Sequence, residues 1–162
     1  MSATSLPGEW TVRAAEPADA PVLADYNCRM AEETEGKRLD PPTVAAGVDG
    51  LLSRPEKGRY FVACDPAGGR VVGQLMLTYE WSDWRNGDLW WIQSVYVAPE
   101  YRGRGVYRAL HEYLEGLAIS DPSVVGLRLY VEDRNSRAQA TYRAVGMSDA
   151  KYRVYEKIFG RG

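Results

Sequence analysis

The chain is poor in the residues that build metal centres and disulfide frameworks. Its 162 residues include two cysteines, Cys28 and Cys64, and one histidine, His111. Neither the number nor the spacing suits a zinc site, so no metal is expected. Two cysteines without a framework pattern read as reduced thiols, which points to a cytoplasmic protein. No apolar run reaches the roughly 18 residues of a transmembrane helix. The first ten residues, Met1 to Trp10, lack the basic and apolar regions of a signal peptide. No membrane association is therefore expected. An excess of charge of one sign is missing too: 20 Lys and Arg stand against 22 Asp and Glu, for a net charge of −2. Bulk electrostatics then favour neither nucleic acid nor an anionic surface. There is no Walker-type phosphate loop, which excludes a P-loop NTPase. There is also no internal repeat, no low-complexity block and no linker long enough to divide the chain.

What remains is an ordinary globular composition, 45% hydrophobic and 26% charged. At this length it predicts one domain spanning 1–162. Residues 10–14 read as a first strand. Pro17 opens a helix with a rough stripe at Val22, Leu23, Tyr26 and Met30. Asp40 before Pro41-Pro42 caps a second helix that runs to about Ser53. Residues 59–64, 71–81 and 89–97 read as strands, with Asn86-Gly87 marking a hairpin. Val106, Ala109, Leu110, Tyr113, Leu114 and Leu117 give a third helix one apolar face. Alternation at Val125, Leu127, Leu129 and Val131 predicts a strand over 124–131. Asn135 or Ser136 can cap a fourth helix ending before Gly146. Tyr152, Val154, Tyr155, Ile158 and Phe159 suggest a last strand. The fold class is α/β (α+β): a mixed, mostly antiparallel sheet of six to seven strands with helices on both faces.

The densest information lies in 95–110. An extended run ends at Pro99, an Arg- and Gly-rich loop follows, and a helix opens near Val106. That order places glycine backbone and unpaired helix N–H groups where an anion can reach them. Arg102, Arg104 and Arg108 add positive charge. The natural ligand of such a turn is a phosphate or pyrophosphate.

Arg102-Gly103-Arg104-Gly105-Val106-Tyr107 resembles the Gln/Arg-x-x-Gly-x-Gly/Ala loop of the GCN5-related N-acetyltransferase (GNAT) superfamily, with Tyr107 departing at the last position. A second stretch is similar to the family's Asn-x-x-Ala-x-x-x-Tyr-x-x-x-Gly-Phe. Here Asn135, Ala138, Tyr142 and Gly146 are in register and Met147 stands for Phe. The element order matches from about residue 10 to 159. The resemblance implies a V-shaped splay between strands 89–97 and 124–131. It implies acetyl-coenzyme A as cofactor, held by Val95, Tyr96 and Val97, by Arg102 to Tyr107, and by Asn135 and Tyr142. Tyr142 would be the general acid for the thiolate, a phenol being able to protonate it. Gln93 stands where many relatives carry Glu. It can position a water or the substrate but cannot take the amine's proton.

Acids lie beside aromatic rings in two places: Glu32, Glu33 and Glu35, and Glu80 to Trp84 with Trp90 and Trp91. Such groups suit an ammonium through charge pairing and cation–π contact. Glu33, Glu80 and Trp91 are therefore the candidate acceptor-binding residues. His111 reads as a surface or boundary residue. The expected function is acetyl-CoA-dependent transfer to a primary amine of a small cationic molecule. A protein N-terminus or lysine as acceptor, or a non-catalytic acyl-CoA-binding module, are the alternatives. A homodimer stays open.

Overall fold

The computed structural model describes residues 10–160. Of the segment tested for a signal peptide, residues 1–9 lie outside the described residues. The elements, in chain order, are β1 (Thr11–Ala14), α1 (Ala20–Glu35), α2 (Pro41–Leu52), β2 (Gly58–Cys64), β3 (Val71–Ser82), β4 (Gly87–Val97), α3 (Val106–Ser120), β5 (Val124–Leu129) and α4 (Ser136–Ala144). The chain forms two compact units, Met1–Tyr130 and Val131–Gly162.

The first unit is a five-stranded sheet in the order β1-β2-β3-β4-β5. Strands β1 to β4 pair antiparallel, and β5 joins β4 in parallel. Local chemistry explains the helices on its faces. Asp40 caps α2 by accepting from the Thr43 N–H at 3.2 Å, with two prolines in the first turn. The loop before α1 is tied to β1 by a forked bond of Arg13 to both oxygens of Asp19, at 2.7 and 3.0 Å. That guanidinium holds the Asp19 carboxyl below its ordinary pKa.

Each face of the sheet has its own core. On one face Val106, Leu110 and Leu114 of α3 pack on Phe61, Leu75, Leu77 and Ile92. On the other, Leu23 and Tyr26 of α1 and Val48 of α2 pack on Tyr60, Val62 and Tyr96. The start of α3 lies so close to β3 that a Cβ on Gly73 would stand 2.8 Å from Val106 Cγ1. Any larger residue there would require Val106 or the start of α3 to shift.

The sheet differs from the expected six to seven strands, because residues 151–160 carry no strand. The apolar alternation is present, but a strand also needs a ladder partner. In the second unit the regular element is α4, whose backbone bonds are spent within the helix. His111 also differs from its expected surface position: it is 1% exposed. The inward face of α3 is wide enough to include Tyr107 and His111 beside Val106, Leu110 and Leu114.

Candidate active site

β4 is the axis of the site. Its first half pairs with β5 from Asp88 to Ile92. β5 ends at Leu129, opposite Ile92, so Gln93 to Val97 have no β5 neighbour. A bulge lies just past that point, where the register against β3 jumps from Met76↔Gln93 to Gln74↔Tyr96. Ser94 there adopts φ +50°, uncommon for a residue with a side chain. The buried Gln74 amide braces the bend, donating to the Ser94 carbonyl at 3.0 Å and to Asn27 Oδ1 at 2.9 Å. Farther on, the Ala98 N–H bonds Val72 O on β3. By alternation Val97 turns its N–H group to the edge without a β5 neighbour, and Val95 lies inside the bulge just before it.

The loop after β4 is shaped for an anion. Gly103 and Gly105 have φ +71° and +80°, and a Cβ on either would meet nothing within 4 Å. Gly105 is the N-cap of α3 and has no side chain to spend on the first turn. The N–H groups of that turn therefore face outward with the positive end of the helix dipole. The flanks of the loop are anchored. Trp10 donates to Arg104 O at 2.9 Å, and the Arg104 guanidinium stacks on Trp10 and Tyr101. Arg102 Nε donates to Val97 O at 2.9 Å. Tyr107 is turned into the core, its hydroxyl 3.1 Å from His111 Nδ1. Its ring is thus kept off the outer face of the loop, where glycine or alanine stands in the family pattern. Burial depresses the His111 pKa.

A cavity of about 650 Å³ opens where the β5 pairing ends, on the α1/α2 side. Ile92, Gln93 and Ser94 form its floor, Asn27, Ala31 and Thr34 of α1 one wall, and Val44 and Val48 of α2 another; Glu35 is also in the lining, its carboxylate 3.7 Å from Lys37 Nζ. Gln93 donates to Thr78 Oγ1 across the sheet, which fixes its amide in this cavity. Tyr60 and Tyr130 also line it, and burial raises the Tyr60 pKa.

The acids named from sequence have other partners. Glu80 accepts from Trp91 Nε1 at 3.2 Å and from Arg128 at 2.9 Å. Trp91 in turn stacks on Tyr130, with ring centroids 4.5 Å apart, so this cluster backs the cavity through Tyr130. Glu33 bonds Arg102 at 2.7 Å and the Tyr96 hydroxyl at 2.8 Å. Arg102 holds the Glu33 carboxyl below its ordinary pKa, while burial and Glu33 push the Tyr96 phenol up. Asn27, Thr34 and Tyr60 were not singled out from sequence, and Glu35 was named there only as one of the acids at the end of α1. The available signal was the spacing Asn27, Ala31, Thr34, a small and polar line along an otherwise apolar helix face.

In the second unit Asn135 caps α4, accepting from the Ala138 N–H at 3.0 Å. Tyr142 lies on the last turn of that helix, half-buried, and burial raises its pKa. Gly146, with φ +91°, ends the helix as expected.

Comparison with known proteins decides the family. The model of the acetyltransferase (GNAT) family matches residues 23–147. The chain belongs to the GNAT family. A GNAT-fold protein from Clostridium difficile 630, described as a possible acetyltransferase, is 43% identical with a TM-score of 0.86. The match covers 94% of this chain and 99% of that one. A predicted acetyltransferase from Clostridium acetobutylicum, solved with acetyl-CoA, shares the fold at TM-score 0.74 and 15% identity. That match covers 92% of this chain and 96% of the other. The bovine thialysine N-epsilon-acetyltransferase is 34% identical over 85 residues, 52% of this chain and 49% of that protein. The chain thus spans about half the length of the curated relatives it matches.

Proposed function

We propose that this protein is an acetyl-CoA-dependent N-acetyltransferase that acetylates a primary amine of a small cationic molecule by direct transfer. One observation carries the reading. The strand that ends in the anion-binding loop frees its edge at the residues that floor the cavity. A pyrophosphate on the loop and an acyl arm along Val95 and Val97 would therefore lead to the cavity floor. The family match crosses from the first compact unit into the second, which supports treating both as one domain.

The residues present fit the cofactor. Open glycine faces, an uncapped helix start and flanking Arg side chains suit a pyrophosphate. When bound, acetyl-CoA supplies an activated acetyl thioester. The N–H groups of Val95 and Val97 would hold the arm as a neighbouring strand would, and one could polarise the acetyl carbonyl. Gln93, fixed by Thr78, would position the amine or a water on the cavity floor. Glu35, which pairs with Lys37 at 3.7 Å, would offer the cavity a charge for an ammonium. Tyr142, which burial keeps protonated well into alkaline pH, would give its proton to the departing thiolate.

The size of the cavity favours a small acceptor, since about 650 Å³ lies in the range of small-molecule sites, roughly 300–1,000 Å³. The test is release of free thiol from acetyl-CoA with a panel of amines led by thialysine and simple diamines, beside peptides with free N-termini. Turnover with a small amine is expected. Turnover with peptides alone would move the acceptor class to proteins. Cofactor binding without turnover of either class would leave a binding module.

A further inference from the structure

We propose that Glu33 is a positioning residue of the cofactor loop, acting through Arg102, and is not an acid of the acceptor cavity. The inference rests on the acetyl-CoA reading of the loop. Both oxygens of Glu33 are engaged, Oε1 by the Tyr96 hydroxyl at 2.8 Å and Oε2 by Arg102 at 2.7 Å. Arg102 is held at three points: by Glu33, by the Val97 carbonyl at 2.9 Å, and by the Tyr96 ring, 5.3 Å from its guanidinium carbon. These contacts join α1, the end of β4 and the first residue of the loop. Glu35 lines the cavity instead. Residues two apart on a helix point to opposite sides, so Glu33 and Glu35 cannot share that wall.

The arrangement has a direct physical consequence. Gly103 and Gly105 leave the loop a backbone free to sample many conformations. Ordering it on binding costs free energy, and an anchor made beforehand removes part of that cost. Fixing Arg102 against Val97 orders the residue from which the glycines spring. The carboxylate is also neutralised by the same guanidinium, which keeps an unpaired negative charge away from a pyrophosphate. Loss of Glu33 should therefore weaken cofactor binding while leaving the acceptor cavity intact.

The test is calorimetric titration of acetyl-CoA into the wild type, Glu33→Ala, Glu33→Gln, Tyr96→Phe, Arg102→Ala and the Glu33→Ala/Arg102→Ala double variant. Steady-state KM for both substrates is measured alongside. Glu33→Ala should weaken acetyl-CoA binding about threefold to tenfold, the scale of a partly exposed ion pair with added hydrogen bonds. Glu33→Gln, which can still accept from Arg102, should lose less. Tyr96→Phe removes one Glu33 bond and should give a smaller loss of the same kind. The amine KM should stay within about twofold in each case, the loss being confined to one substrate. In the Arg102→Ala background, removing Glu33 should cause no further loss, because it acts through that side chain. A raised amine KM with unchanged cofactor affinity would overturn the proposal. So would tighter cofactor binding, which would mean that Glu33 competes with the pyrophosphate for Arg102, and so would additive losses in the double variant. If the wild type binds acetyl-CoA and Glu33→Ala binds it equally well, this proposal alone fails. If the wild type binds none, the acetyl-CoA reading fails with it.

Discussion

The loop at the end of β4 and the cavity beneath α1 are neighbours built from different material. In the proposed site the loop would grip with backbone: two left-handed glycines, an uncapped helix start and a strand end without a β5 neighbour. The cavity is lined by side chains drawn from α1, α2, β2 and β4, with which it would recognise the acceptor. A backbone site tolerates side-chain change so long as the chain path survives. Tyr107 illustrates this, its bulk being stored in the core against His111. A side-chain site has no such tolerance, and its selectivity can change with one residue. The proposed anion grip should thus be the less sensitive of the two to side-chain change.

That contrast can be broken or sharpened by substitution. The largest effect should come from Tyr142→Phe, with kcat lowered about 100-fold and acetyl-CoA affinity near normal. Steady-state kinetics with calorimetric binding would check it, and unchanged kcat would return Tyr142 to a packing role. Next is Gly105→Val. Left-handed backbone costs a residue with a Cβ about 1–2 kcal/mol, so acetyl-CoA binding should weaken tenfold or more. At saturating cofactor, kcat should change little. A Val variant with normal cofactor KM would contradict a backbone grip. Glu35→Gln should be milder, raising KM for a cationic amine by about threefold to fivefold without changing the cofactor KM. An equal effect on a neutral acceptor would show that the charge is not what counts.

The smallest effect is on stability. Burial depresses the His111 pKa below its ordinary 6.5, so the folded state prefers the neutral ring. Below about 6.5 the unfolded chain takes up a proton that the folded chain does not. This contribution is therefore complete above that pH and falls away as pH drops towards the depressed value. Chemical denaturation from pH 7.5 down to 5 should show the decline, and His111→Gln should flatten it.

The two regions were not equally legible. Glycine, proline and a helical period announce the loop and its helix directly, because they act through backbone geometry that local sequence encodes. The asparagine cap at Asn135 and the glycine stop at Gly146 were readable for the same reason. The cavity was not, because three acids within four residues of α1 look alike until the helix is docked. Docking then turns Glu33 to Arg102 and Glu35 to the cavity. Glu80 was likewise visible as an acid beside Trp91, while its pairing with Arg128 spans 48 residues. The apolar alternation after Tyr152 states which residues could share a face. It does not supply a ladder partner, and residues 151–160 form no strand.

The central claim is that the 102–105 loop holds the pyrophosphate of acetyl-CoA. Thermal melting with acetyl-CoA and with acetyl-pantetheine, which carries the same thioester without pyrophosphate, tests it most directly. Acetyl-CoA at 100 to 1,000 times its dissociation constant should stabilise the fold by about 2.7–4.1 kcal/mol. Acetyl-pantetheine at the same concentrations should have little effect. An unmoved melting temperature with acetyl-CoA, or an equal rise with both ligands, would contradict the claim.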